Sequence, residues 1–467
     1  MNQDKLLIDG NLVSGAAALD VINPANGRSF TTISRASGAQ ANEAVAAAKR
    51  AFPDWAAQPL EVRQAAVAKL GDALEANRDA FVRTLVMEQG KPLSEAQIEF
   101  DFAVQFAKFY SRCTLPNSVI QDDASLRVEL EHRPLGVVLG ITPWNFPLLI
   151  AVYKLAPAVV LGNTFVLKPA PTTPVTSLML AGVARNIFPP GVVNVVADQN
   201  DLGPLLTEHP DIAKIAFTGS TATGRRVVAS SASTLKRVTL ELGGNDACII
   251  LDDADIDSIA PKIFGAAYFN CSQVCIAIKR IYAPKRLYKR TVDALSALAE
   301  KAILGQGLDE GTQVGPLQNA AQYQKAKHFL SVAKQDGRIA AGGSTLEKSG
   351  YFVTPTVVAD IGDQSPLVRE EQFVPVLPVL AYDGVEEAIA RANDTQYGLG
   401  GSIWSTDIDR ARSVAAKLQT GTIWINQHLN FGPHIPLAGA KQSGIGVEFS
   451  ALGLAEYAQT TVLNIAK

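Results

Sequence analysis

Between Gly136 and Ser231 the chain alternates apolar runs with helix-forming stretches four times over. The runs are Gly136–Thr142, Thr164–Lys168, Val192–Val196 and Ile212–Phe217. The stretches that follow them are Leu148–Val160, Val175–Arg185, Leu202–Glu208 and Gly224–Ser231. The runs are apolar along most of their length instead of alternating with polar residues, so each predicts a strand buried on both faces. Strands of that kind belong to a parallel sheet with crossover helices on either side. Ligands of such sheets sit at the carboxyl ends of the strands.

One segment offers a competing reading. Leu135–Tyr153 is uncharged and long enough to cross a bilayer. Its middle, however, holds Pro143, Trp144, Asn145 and Pro147. Two prolines around a Trp-Asn pair would break a spanning helix and strand polar groups in lipid. The expectation is a buried strand, a loop and a buried helix.

After Gly244 the alternation restarts. Ala247–Leu251, Arg280–Ala283, Arg338–Ala340 and Val376–Ala381 read as strands. Leu287–Ala302, Ala320–Gln335, Val385–Asp394 and Asp407–Leu418 read as helices. A chain of 467 residues exceeds what one core organises, so two domains are expected. Upstream, Leu6–Val13 reads as a hairpin, and Leu60–Val86 as two helices broken near Asn77. Ser94–Cys113 reads as a helix with Ser94 as its N-cap. Leu115–Arg133 and Thr460–Ile465 alternate like exposed strands, whose edges invite pairing with another subunit.

A net charge of −3 gives no basic field for nucleic acid. Four cysteines in a chain this long do not make a disulfide framework, and the amino terminus lacks a secretory pattern. A reducing, cytoplasmic location is expected. Cys271 and Cys275 have neither redox nor zinc spacing, so no metal site is expected.

Several segments carry possible chemistry. Phe217-Thr218-Gly219-Ser220 ends a strand and opens a helix, where backbone N–H groups bind phosphate. Arg225-Arg226 stands where a P-loop needs Lys-Ser/Thr, which argues against ATP hydrolysis. Lys168 ends a strand, and Asn145 places an amide in an apolar stretch. Glu241 precedes Gly243-Gly244, glycines that let a ligand or another backbone approach. Cys275 lies among small and amide residues. Each of these has a bland reading as cap, ion pair or packing.

Taken in order, Pro143-Trp144-Asn145-Phe146-Pro147, Leu167-Lys168-Pro169, the Phe217–Ser220 turn, Leu240–Asn245, the Asn270–Cys275 segment and Glu370–Pro375 resemble the aldehyde dehydrogenase superfamily. The resemblance runs from about Ile8 to the carboxyl terminus. It implies two parallel-sheet α/β domains with a small β arm for oligomerisation. A Rossmann-like cofactor domain would take residues 1–112 and 135–243, and a catalytic domain residues 244–440. The arm and tail would take 113–134 and 455–467.

It implies Cys275 as the nucleophile that attacks an aldehyde carbon. Asn145, with the Cys275 N–H, would bind the oxyanion, and Glu241 would activate water to hydrolyse the thioester. Lys168 would meet the adenosine ribose, and Gly219 and Ser220 the pyrophosphate. Glu371 and Phe373 would hold the nicotinamide end, with Thr142, Trp144, Gly203 and Gly243 completing the cofactor cradle. The implied cofactor is NAD, with NADP also allowed, because Pro171 stands where many NAD-preferring members carry Glu. The implied assembly is a homodimer or homotetramer.

Two further departures are Ser272 and Val374, each where the family prefers Gly. By position Phe146, Leu149, Ile150, Tyr153, Val274, Ile276 and the Gln427–Pro436 loop would line a substrate tunnel. No Arg or Lys is expected there, so the expected substrate is an apolar or aromatic aldehyde of medium size. Other readings are a CoA-acylating enzyme, a cofactor-independent thiol esterase, and a non-catalytic protein on the same scaffold.

Overall fold

The computed structural model describes residues 2–346 and 349–467. Eleven parallel strands form the frame: β1 (Val137–Ile141), β2 (Thr164–Lys168), β3 (Val193–Val195), β4 (Ile212–Thr218), β5 (Arg237–Glu241), β6 (Asp246–Ile250), β7 (Ile278–Pro284), β8 (Thr356–Ala359), β9 (Val376–Tyr382), β10 (Gly400–Trp404) and β11 (Thr422–Ile425). They fall into two sheets. The first runs Gly444–Ile445, β5, β4, β1, β2, β3, Leu6–Ile8, Asn11–Val13, with antiparallel strands only at its margins. The second runs Arg338–Ala341, β8, β9, β7, β6, β10, β11, with one antiparallel edge strand.

Register decides where chemistry can gather. Ile141 pairs with Lys168 and with Phe217, and Thr218 pairs with Glu241. The carboxyl ends of β1, β2, β4 and β5 are therefore level. In the second sheet Asp246 pairs with Ile278, which sets the amino ends of β6 and β7 level.

The competing membrane stretch resolves into β1, a loop and α1 (Pro147–Val160). All 14 residues of α1 are buried, as its unbroken apolar surface requires. Pro147 occupies the first turn, where a missing N–H costs nothing. The N–H groups of Leu148 and Leu149 donate to Glu99 Oε1 at 3.0 and 3.3 Å. No helix among the described residues is long and apolar enough to cross a membrane.

The other crossovers of the first sheet are α2 (Val175–Ala184), α3 (Gly203–Glu208) and α4 (Thr221–Ser231). α4 begins three residues before the sequence reading, because Ser220 accepts the Thr223 N–H as its cap. Ser94 is not an N-cap: that helix starts at Leu93 behind Pro92, with no side-chain cap. A helix unseen in the sequence, α5 (Ile256–Tyr268), carries the chain into the Cys275 loop. β8, β10 and β11 were also unseen.

The arm and tail pair with each other in one chain. Leu126–Pro134 pairs with Ala458–Ala466 along nine residues, and Ser118–Asp122 pairs on its other side. The arm's inner edge is thus satisfied internally, and the outer edges of Ser118–Asp122 and the tail remain.

Candidate active site

The carboxyl edge of the first sheet and the amino edge of the second face one cavity of about 590 Å³. The first sheet contributes Trp144, Asn145 and Phe146 beyond β1, Gly219 and Ser220 beyond β4, and Glu241 and Gly243 from β5 onward. The second contributes Val274, Cys275 and Ile276 ahead of β7, and Glu371 and Phe373 ahead of β9. Leu149, Ile150 and Tyr153 of α1 complete this wall. Thr142, Lys168 and Gly203 lie outside the cavity lining; the first two sit at the same strand ends.

The Cys275 loop is strained. Asn270, Cys271 and Ser272 take φ of 51°, 54° and 62°, three successive left-handed residues. Each such residue costs on the order of 1–2 kcal/mol unless something offsets it. The offsets are explicit. Asn270 N–H donates to Glu95 Oε2 at 3.0 Å, and Ser272 Oγ donates to the Ala267 carbonyl at 2.7 Å. Gln273 Nε2 donates to the Asn270 carbonyl at 2.9 Å. Lys279, 2% exposed, donates to the carbonyls of Val274 and Cys275 at 2.8 and 2.7 Å. A left-handed φ at 272 explains why Gly suits this position, and the Ser272 hydroxyl bond shows how serine is accommodated. Val374 is not among the left-handed residues, so nothing in its backbone requires Gly.

Cys275 is part-exposed to the cavity, whereas Cys248 and Cys271 are buried at 0% and 2%. Burial pushes the Cys275 thiol up to about 12; Lys279 opposes this, while Glu241, Glu371 and Asp246 add to it. The cavity thus favours the neutral thiol over the thiolate. Glu241 is buried with both carboxyl oxygens unpartnered. Its pKa is raised well above 4.5, first by desolvation, then by Glu448, against Lys154. A buried carboxyl with no partner is costly, and its place in a cavity makes it a candidate for proton transfer.

Asn145 Nδ2 donates to the Gln273 carbonyl at 2.9 Å, tying the first sheet to the cysteine loop. An amide carries two N–H donors, so one remains. Its backbone carbonyl accepts from Lys91 Nζ at 2.9 Å and Asn270 Nδ2 at 3.1 Å. Lys91 is in turn paired with Glu99 at 2.5 Å, both fully buried. These supporting residues were missed in the sequence, where a lone Lys or Glu carries no signal of burial.

The geometry tests whether a dinucleotide fits. Thr142 Oγ1 is buried with no partner, at the strand-end turn where Thr142 N–H donates to the Lys168 carbonyl. A Cβ on Gly219 would stand 2.5 Å from the Phe217 ring, and one on Gly243 2.4 Å from Glu371 Oε2. Glu371 is half-buried and accepts the Gly244 N–H at 3.0 Å; desolvation raises its pKa. Phe373 meets Trp144 edge-on at 5.5 Å. Glycine at 219 and 243 leaves room for the Phe217 ring and the Glu371 carboxylate, and a strand-end turn that opens a helix, an unpaired hydroxyl and a carboxylate suit a dinucleotide's pyrophosphate and ribose groups.

The far wall is aromatic. Phe146 stacks on Phe269 at 6.2 Å, and Phe102 on Phe431 at 4.5 Å. Of the Gln427–Pro436 loop, His428, Leu429 and Phe431 reach the cavity. Lys262 of α5, an exposed residue, also borders it, as does Lys325, against the expectation of no Lys or Arg there. His428 is held neutral by burial, its pKa lowered to about 3, and Nε2 hydrogen-bonds to the Ile276 carbonyl at 2.8 Å.

The aldehyde dehydrogenase family model matches residues 13–463. The chain belongs to the aldehyde dehydrogenase family. Aldehyde dehydrogenase LUC3 of a Fusarium species is 37% identical over 449 residues, 96% of this chain and 95% of LUC3. Among solved structures, betaine aldehyde dehydrogenase from Staphylococcus aureus in complex with NAD+ superimposes with a TM-score of 0.96 at 32% identity. It covers 99% of this chain and 94% of that one. An NADP-dependent enzyme of E. coli gives a TM-score of 0.97 at 32% identity, covering 100% and 98%. This aldehyde dehydrogenase therefore has relatives of both cofactor types, and its own residues must decide between them.

Proposed function

We propose that this chain oxidises an aldehyde to the carboxylic acid with NAD(P)+ through a covalent cysteine intermediate. The observation that carries the reading is the meeting of Cys275, Glu241 and Asn145 in one cavity, drawn from opposed edges of two sheets. The Cys275 sulfur adds to the aldehyde carbon as its proton leaves to a base of the cavity. The free Asn145 N–H and the Cys275 N–H, which has no acceptor among the described residues, stabilise the oxyanion. Nicotinamide, when bound, supplies the hydride acceptor, and a thioester remains on Cys275. Glu241 takes a proton from water, which attacks that thioester and releases acid and thiol. Glu371, Phe373 and Gly243 would hold the nicotinamide end, and Lys168, Thr142, Gly219 and Ser220 the remainder.

The aromatic wall supports an apolar or aromatic substrate of medium size. Glu241, left with no protein partner, favours hydrolysis over transfer to CoA. The exposed outer edges of Ser118–Asp122 and the tail support a homodimer or homotetramer, and four free thiols suit a reducing cytoplasm. One observation favours a second reading, a cofactor-free thiol esterase: His428 borders the same cavity.

The test is a steady-state aldehyde panel with NAD and NADP. Formation of reduced cofactor is expected to fall roughly 10⁶-fold in Cys275→Ala, as when a covalent nucleophile is removed. Turnover that survives this change, or ester cleavage indifferent to NAD(P) and lost in His428→Ala, would overturn the oxidation reading.

A further inference from the structure

Lys168 is the last residue of β2, level with the ends of β1 and β4, where a parallel sheet receives its ligand. Its ammonium is not free. Lys168 Nζ lies 2.7 Å from Asp198 Oδ1, with the two side chains 4% and 0% exposed. Asp198 comes from the loop after β3, thirty residues further along the chain. Its other oxygen, Oδ2, accepts the Leu202 N–H at 3.0 Å, so the carboxylate is held from both sides. Asn200 Oδ1 adds a weaker contact to Lys168 Nζ at 3.5 Å.

A second cation, reaching this loop from the strand Arg28–Arg35, is also engaged. Arg35 pairs with Asp201 at 2.8 Å and, through this bond, holds the Asp201 carboxyl below its usual range. Ala36 N–H donates to the Ala197 carbonyl at 2.8 Å, which binds the Arg35 strand to the same loop. The loop after β3 thus carries two lysine- or arginine-carboxylate pairs, one buried and one exposed.

We propose that Asp198, acting through Lys168, makes this enzyme select NAD over NADP. This rests on the dehydrogenase reading above. A ribose hydroxyl can share Lys168 with Asp198, because it is neutral and both donates and accepts. A 2′-phosphate is close to a dianion. It would have to draw Lys168 away and leave a fully buried carboxylate without its counter-ion, an arrangement that proteins avoid. The acidic function absent at Pro171 is supplied instead from the neighbouring strand's loop. Asp198 is a positioning residue here: it governs what Lys168 can accept.

The experiment is calorimetric titration of the full-length protein with NAD and with NADP, alongside kcat/KM for each. The wild type is expected to bind NAD at least roughly tenfold more tightly than NADP, since a buried carboxylate left unpaired works by rejecting the wrong ligand. Asp198→Asn keeps shape and an acceptor for Leu202 N–H but frees Lys168. It is expected to move the ratio of the two dissociation constants at least tenfold toward NADP, with the change in KM and not kcat. Asp198→Glu is expected to retain the preference for NAD. Asp201→Asn, which is exposed, should move the ratio less than Asp198→Asn. An unchanged ratio in Asp198→Asn overturns the proposal. Equal affinity of the wild type for both dinucleotides, which needs no variant, overturns it too. Binding of neither dinucleotide overturns the dehydrogenase reading itself, and the proposal with it.

Discussion

The two sheets are built alike and used oppositely. The first presents the carboxyl ends of β1, β4 and β5 to the cavity, as parallel sheets ordinarily do. The second presents amino ends: Cys275 precedes β7 by three residues and Phe373 precedes β9 by three. Its carboxyl edge, at Leu251–Asp253 and Pro284–Lys285, carries ion pairs with partly exposed side chains, such as Lys285 with Asp383. The difference also appears in the backbone. Asn270, Cys271, Ser272 and Phe373 are left-handed on the second sheet's side. The first sheet's loops at 142–146 and 218–220 contain no left-handed residue. The groups beyond β1 and β4 are delivered without left-handed backbone, whereas the cysteine loop at the amino end of β7 is bent and held by Lys279, Glu95 and Gln273. Strain at a functional loop is expected where the surroundings enforce it.

The comparison is tested most severely at Glu241, the base proposed for the carboxyl edge. Glu241→Gln is expected to lower steady-state turnover by about 10²–10⁴-fold, the usual share of a positioned base. The first-turnover burst of reduced cofactor should survive, because only thioester hydrolysis is blocked. An equal loss of the burst would reassign Glu241 to thiol activation. Stability gives an independent readout. The folded pKa of Glu241 lies above 4.5, so as pH rises the unfolded chain loses this proton before the native state does. Stability therefore falls from pH 4.5 upward until the folded pKa is passed. Gln removes that loss. Thermal unfolding should show variant and parent alike below pH 4.5 and the variant more stable at neutral pH.

Asn145 joins the two edges, so it separates positioning from chemistry. Asn145→Ala is expected to reduce kcat about 10²–10³-fold, as for an oxyanion donor. It also removes the bond to the Gln273 carbonyl. If that bond orders the thiol, the alkylation rate of Cys275 by iodoacetamide changes as well. An unchanged alkylation rate would confine Asn145 to the oxyanion and show that the second sheet holds its loop unaided.

The same asymmetry governs what the sequence reveals. β1, β2 and β4 are buried on both faces and read as apolar runs, so the first sheet and its strand-end residues are legible. α5 is not, because Pro261 sits inside it and Gly265 follows. β10 opens on Gly400 and Gly401, poor strand formers whose missing side chains leave room for Asp246 and Trp424. β8 has only four residues. Cys275 and Glu371 lie on loops without periodicity and are recognisable only by resemblance. The pairings Lys168–Asp198 and Lys91–Glu99 depend on which loops meet. Ser272 is visible in the sequence as a departure, yet its meaning lies in its φ.

The smallest expected effect is the most direct check on the claim that the second sheet's carboxyl edge is chemically idle. Arg410 pairs with Asp252 there, with side chains 40% and 47% exposed. Exposed pairs contribute about 0–1 kcal/mol, since water and salt screen them and side-chain entropy opposes them. Arg410→Ala should therefore lower the thermal midpoint slightly and leave kcat/KM unchanged with either cofactor. β6 nevertheless connects this edge to Asp246, beside the cysteine loop. A changed kcat/KM at an unaltered melting temperature would show that the strand transmits displacement from one end to the other. The two sheets would then differ in which end is strained, not in which end matters.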